Sequence, residues 1–151
     1  MKKLFIAGIA AGILSLTSCS NAVNSYLGGS WTYKGVSYTA ITAGGSTHAS
    51  SLLATGGSTS EVDNVEFKFT SYPPAPGTYT IVNTPPTAGQ VYVVMTLGTK
   101  AYTVANSGVT SLTVSANGSK IGIIVPAVDF SNIYVQAADA GSFTATITQN
   151  I

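Results

Sequence analysis

The chain offers few side chains able to do covalent or acid–base chemistry: one cysteine, one histidine, five carboxylates and six cations in 151 residues. The cysteine, Cys19, closes the tetrapeptide Leu16-Thr17-Ser18-Cys19; a thiol acts through its thiolate as a nucleophile or metal ligand. His48 sits in a Gly/Ser/Thr stretch (GGSTHASS). A Ser-His-Asp arrangement is assembled in space rather than in sequence, but no Gly-x-Ser-x-Gly elbow accompanies it, and His48 reads as a solvated loop side chain. Paired carboxylates would have to come from Glu61, Asp63, Glu66, Asp129 and Asp139. Two acids in one cleft can cleave a glycosidic bond, yet Glu66 falls on the polar face of Val65-Glu66-Phe67. Glu61 and Asp63 with Asn64 are close enough to touch one Ca²⁺, but an oxygen cage takes about six to eight ligands at a spacing this segment lacks. A single histidine without a second thiol argues against zinc. These residues point to a non-catalytic protein with no metal and no cofactor; an envelope hydrolase using His48 or two acids is the remote alternative.

The element in front of Cys19 gives that thiol a different meaning. Met1-Lys2-Lys3 is basic, and Leu4 to Leu16 is an unbroken apolar and small-residue run. As a helix it would rise about 20 Å, short of the roughly 30 Å hydrocarbon core of a bilayer. It fits the apolar segment of a secretion signal. Leu16-Thr17-Ser18-Cys19 resembles the lipobox of bacterial lipoproteins. The resemblance implies that the Cys19 sulfur receives a diacylglyceryl group, that signal peptidase II cuts after Ser18, and that the new amine is acylated. Two or more acyl chains anchor stably where one does not. An ordinary signal peptide, with Cys19 a mere small residue near the cut, is the other reading. Organised this way, the chain divides into a signal over 1–18, a lipidated N-terminus and tether over 19–29, and a folded domain over 30–151.

After loss of the signal, four lysines face five acids, and the sequence contains no arginine. Nucleic acid binding needs clustered cations to displace counterions, and a polybasic membrane surface needs the same; both are excluded as the main activity. Among lipoproteins, Ser20 in place of an Asp sorting residue, and no acidic run after Cys19, imply the outer membrane with the protein facing the periplasm rather than the cell surface. The partners expected are the membrane, through the lipid, and a glycan or another envelope protein.

Beyond Gly29 the pattern is β. Trp31 and Tyr33 alternate with Ser30 and Thr32, and Val36 and Tyr38 with Ser37 and Thr39. A two-residue Lys34-Gly35 loop pairs Tyr33 with Val36 and Trp31 with Tyr38, placing all four on one face. Ala43 to Ser60 reads as loop with a short strand at Leu52-Leu53-Ala54. Val65, Phe67 and Phe69 alternate with polar residues. Tyr72-Pro73-Pro74-Ala75-Pro76-Gly77 cannot join a ladder; Thr78 to Val82 is the next strand and Pro85-Pro86 breaks the chain again. Val91 to Leu97 is nearly continuous in apolar character, hence central, and Ala101 to Ala105 follows. Asn117-Gly118 predicts a type I′ hairpin pairing Val114 with Ile121 and Leu112 with Ile123. Val128 to Phe130 and Ser142 to Thr148 complete about nine or ten strands. With turn signals every eight to twelve residues, the expected fold is an antiparallel β-sandwich, with a closed β-barrel as the alternative. Trp31 to Tyr38, Pro76-Gly77-Thr78-Tyr79 and Asn117 to Lys120 resemble the pattern of small Bacteroidetes-type lipoproteins. That group has no assigned activity, so the resemblance bears on fold alone.

Eight tyrosines, five phenylalanines and one tryptophan are many for a chain only 7% charged. An aromatic face is a flat apolar platform with polar edges, so Trp31, Tyr33 and Tyr38 are candidates to stack on a sugar ring; the competing reading puts that face in the core. Tyr72, among prolines, is the better candidate for exposure. The sequence therefore points to a lipid-anchored binding or structural module of the cell envelope, with a carbohydrate or small apolar ligand binder as the alternative.

Overall fold

A computed structural model describes residues 28–56, 63–134 and 139–151. Leu16, Thr17, Ser18, Cys19, the tether up to residue 27, and Glu61 lie outside the described residues. Ten strands follow one another: β1 (Gly28–Tyr33), β2 (Val36–Ser46), β3 (Ser51–Gly56), β4 (Asp63–Lys68), β5 (Gly77–Val82), β6 (Gln90–Leu97), β7 (Lys100–Val104), β8 (Ser111–Asn117), β9 (Lys120–Asn132) and β10 (Gly141–Asn150). The described residues contain no helix.

Of the two architectures open from the sequence, the structure takes the barrel, not the sandwich. A ring of nine strands closes in the order β1-β2-β3-β4-β6-β5-β8-β9-β10, because β10 pairs with both β9 and β1. Every pairing is antiparallel except β5 with β6. β7 spans the same gap between β6 and β9 that β5 and β8 fill farther along. Closure satisfies the backbone groups that two open sheets would leave on their edges. Two irregularities bend the long strands: β2 carries an extra residue at Ile41, and the β9–β10 register shifts around Pro126 and Ala127. Bulges of this kind sharpen local twist and let a sheet curl shut.

The hairpin register read from aromatic alternation is the observed one, with Tyr33 opposite Val36 and Trp31 opposite Tyr38. Lys34 and Gly35 both have positive φ, 51° and 78°, as a type I′ turn requires. The second hairpin differs. Asn117 pairs with Lys120 and Val114 with Ile123, so the loop is Gly118-Ser119, with φ of 59° at Gly118. Glycine at the first central position makes a type II′ turn, the other favoured hairpin solution. Each strand moves by one residue, so Leu112, Val114, Ile121 and Ile123 keep their inward face. The short strand expected at Leu52-Leu53-Ala54 is there as β3, but the loop expected before it is corrected: β2 continues to Ser46, and only Thr47 to Ser50 form the turn. Residues 57–60 lie outside the described residues.

Inward residues fill the barrel. Phe67, Val91, Val93, Met95, Phe130 and Phe143 are fully buried, and Phe130 stacks on Phe143 at 4.3 Å. Large rings are accommodated by small residues opposite: the Trp31 ring lies against Gly56, and the Tyr72 ring against Gly45. The outward positions of β1, β2 and β10 are Ser30, Thr32, Ser37, Thr39, Thr144 and Thr146, with Thr32 and Thr144 hydroxyls bonded at 2.7 Å. A membrane-spanning barrel presents an apolar band outward; these three strands present mainly hydroxyls, with Ile41 of β2 an exposed apolar exception, and Leu53 on β3 and Ile124 on β9 are exposed in the same way.

Candidate functional site

The barrel has two chemically different ends. At the far end, where the 34–35 and 98–99 turns lie, the Tyr33 and Tyr102 rings meet at 5.0 Å. Asp139 ties the following segment across them. Its carboxylate accepts hydrogen bonds from Lys34 Nζ at 2.5 Å and from the Tyr102 hydroxyl at 2.9 Å, and Lys100 Nζ stands 3.6 Å away. The Tyr33 hydroxyl donates to the Asp139 backbone carbonyl at 2.6 Å. The Lys34 and Tyr102 hydrogen bonds hold the Asp139 carboxyl down at about 2. Burial first, and then Asp139, through its charge at Tyr33 and its hydrogen bond and charge at Tyr102, push both hydroxyls up to about 12. The ion pair also explains why a lysine occupies a left-handed turn position that favours Gly, Asn or Asp.

At the opposite end, the base, the chain leaving β4 folds back under the barrel. Phe69 packs edge-on against Tyr79 at 5.1 Å, and the Tyr79 hydroxyl donates to the Ala75 carbonyl at 2.8 Å. The Tyr72-Pro73 peptide is cis. Tyr72 reaches over Gly45, which has no Cβ to obstruct it, and its hydroxyl donates to Gln149 Oε1. Burial pushes the Tyr72 hydroxyl above its ordinary pKa. Beside this pair opens a groove of about 510 Å³, lined by Thr47, Tyr72, Pro73, Ser119, Gln149 and Ile151, among others. Its walls are the rings of Tyr72 and Pro73, the Ile151 side chain and short polar residues. Gln149 is wholly buried, and with Tyr72 bonded to its oxygen the Nε2 has no hydrogen-bond partner. An unpaired buried donor costs about 1–3 kcal/mol, a cost this amide carries behind the groove wall, closed off from the groove as the side chain stands.

A smaller hollow of about 220 Å³ marks the outer wall where β5 and β7 share their gap; Asn83, Tyr92, Thr103, Ser131 and Asn132 line it. Val93 lies at the junction, and its carbonyl is capped by the Thr103 hydroxyl at 2.9 Å.

The residues singled out in the sequence are dispersed. Trp31 and Tyr33 are buried, 1% and 4% exposed, which corrects their candidacy as a surface stacking platform. Tyr38 is half-buried and its ring is stacked on Trp31 at 5.6 Å. Of the four aromatics, Tyr72 borders the groove at the base. His48 lies in the exposed turn at the base, whereas Asp139 is at the far end. Asp63 accepts from the Gly98 backbone N–H at 3.1 Å, and Glu66 pairs with Lys68 at 3.3 Å. Asp129 lines a hollow beside Ser142 on the outer wall. Among the described residues no three of His, Cys, Asp and Glu gather in a metal-binding group. Gln149 and Ile151 carried no signal in the sequence, since they end an ordinary alternating strand; only its inward parity hinted that an amide would be buried.

No protein-family model, curated protein or solved structure matches this chain.

Proposed function

We propose that the protein is a lipid-anchored component of the cell envelope whose barrel is a non-catalytic binding module. Its ligand is small and largely apolar, carries a hydrogen-bond acceptor, and sits in the groove at the base. The observation that carries this reading is the Gln149 amide, buried and half-satisfied just behind an apolar groove, where a turn of its side chain would present the free N–H to a ligand. A core position built for stability alone would hold a leucine or isoleucine there. The anchor is supported by the basic start, the short apolar run and the Leu16-Thr17-Ser18-Cys19 sequence; the outer membrane, periplasmic side, remains the proposed location. The non-catalytic reading draws support from where the described acids stand. Asp63 and Asp139 make ties at the far end, Glu66 pairs with Lys68 along β4 and Asp129 borders an outer-wall hollow, and none of them lines the groove.

The experiment is native mass spectrometry of the mature protein extracted from its own membrane in mild detergent, compared with Gln149→Leu. A bound mass beyond polypeptide and anchor, present in the parent and lost in the variant, is expected. A parent carrying no such mass, or a variant retaining it equally, overturns the groove as the binding site.

The outer-wall hollow favours a second reading, a neutral glycan. Tyr92 supplies a ring and Asn83, Thr103 and Ser131 supply uncharged donors and acceptors, the set that recognises sugar faces and hydroxyls. Glycan-array binding lost on Tyr92→Ala, but kept in Gln149→Leu, would select it.

A further inference from the structure

We infer that the groove takes the acyl-glycerol portion of a phospholipid from the membrane carrying the protein, so that the barrel stands base-down on the bilayer. This deepens the proposed function and rests on its anchored, ligand-binding reading.

The point where the chain reaches the barrel comes first. β1 begins at Gly28, which lies opposite Thr148, the neighbour of Gln149, and β1 runs from there toward the far end. Nine peptide units join Cys19 to Gly28, a reach of at most about 30 Å. β10 alone, ten residues long, rises about 25–33 Å between the two ends once strand tilt is allowed for. Turning the far end toward the bilayer would use nearly the whole tether along the barrel wall. With the base down, the barrel requires almost none of that reach.

Charge points the same way. At the far end Lys34 and Lys100 both face Asp139. At the base, Lys120 stands next to Ser119 of the groove and is exposed, and no ion pair engages it among the described residues. Lys68, also toward the base, is offset by Glu66.

The groove then matches the parts of one molecule in order. A lipid phosphate meets Lys120, which follows Ser119 at the rim, an acyl chain lies along Tyr72, Pro73 and Ile151, and an ester carbonyl accepts from Gln149 Nε2 once that side chain turns toward the groove. Tyrosine is itself suited to this depth, with an apolar ring and a polar tip. A free sugar supplies no chain for the apolar wall.

The test uses the mature lipidated protein in vesicles of phosphatidylethanolamine and phosphatidylglycerol containing a trace of phospholipid with an acyl-chain diazirine. Irradiation and peptide mapping should place adducts on peptides holding Tyr72-Pro73, Ser119-Lys120 or Gln149 to Ile151. Lys120→Glu, checked for an unchanged thermal melt, should lower the yield several-fold. Adducts at the far end (Val36, Tyr134), an even spread over the surface, or equal yield from Lys120→Glu would overturn the inference. A groove that retains a non-lipid molecule in native mass spectrometry, with no lipid adduct, leaves the proposed function standing and removes this one. Absence of both removes both.

Discussion

Trp31 and Tyr38 face one another across the first hairpin, ring planes 5° apart and centroids separated by 5.6 Å. The Tyr38 ring covers the only tryptophan of the chain, whose indole Nε1 is buried without a hydrogen-bond partner. Trp31→Ala should therefore cost about 3–5 kcal/mol, read in urea melts. Trp31→Phe should cost less than about 1.5 kcal/mol, since it removes an unpaired donor along with volume. Tyr38→Ala should shift the tryptophan emission to longer wavelength.

Two glycines are spacers for rings. A Cβ at Gly45 would overlap the Tyr72 ring, and one at Gly56 would overlap the Thr39 carbonyl oxygen and come within 2.8 Å of the Trp31 ring. Gly45→Ala and Gly56→Ala should each destabilise by about 1–3 kcal/mol. Gly56→Ala should cost more, because backbone cannot swing away as a tyrosine can. Thermal melts of the two variants decide the order.

The far-end tie sets a pH window at each extreme. Asp139 is held at about 2 against its ordinary 3.8. Its contribution to stability is full above about pH 4 and is lost as pH falls through about 2, because the unfolded carboxyl takes up its proton first. Tyr33 and Tyr102 are raised from 10.0 to about 12. In the folded state they keep protons that the unfolded chain releases, so stability is full below about pH 10 and falls as pH rises toward 12. Urea midpoints across pH should show both limbs. Asp139→Asn should flatten the acid limb, and Tyr33→Phe with Tyr102→Phe the alkaline one.

If the base groove trades stability for binding, then Tyr72→Phe combined with Gln149→Leu should be at least as stable as the parent. The pair removes a buried unmatched amide and the hydroxyl it leaves behind, a change that is neutral or stabilising when both partners become apolar. A melting temperature several degrees below the parent would show that the Tyr72–Gln149 bond exists for the fold.

The anchor has its own measurement. Cells fed an alkyne fatty acid should label the parent and not Cys19→Ala, and the mature mass should exceed that of polypeptide from residue 19. An unlabelled parent, or one retaining its first eighteen residues, removes the anchored reading.

Alternation by itself determined much of this molecule. A strand's side chains switch faces at every residue, so Trp31, Tyr33, Val65, Phe67, Val114 and Ile123 declared their inward parity before any partner was known. The Lys34-Gly35 loop even indicated its register, because a three-residue loop would have set Trp31 opposite Ser37 and mixed aromatic and hydroxyl faces. Where two turns kept the same parity, as at Asn117-Gly118 and Gly118-Ser119, the pattern was blind to the choice and packing made it. Sandwich or barrel was also beyond reach, since closure depends on β10 meeting β1 across more than a hundred residues. So was the base groove. Tyr72, Gly45 and Gln149 come from three distant segments, and only the curl of the sheet sets a ring over a glycine and beside an amide it cannot fully satisfy.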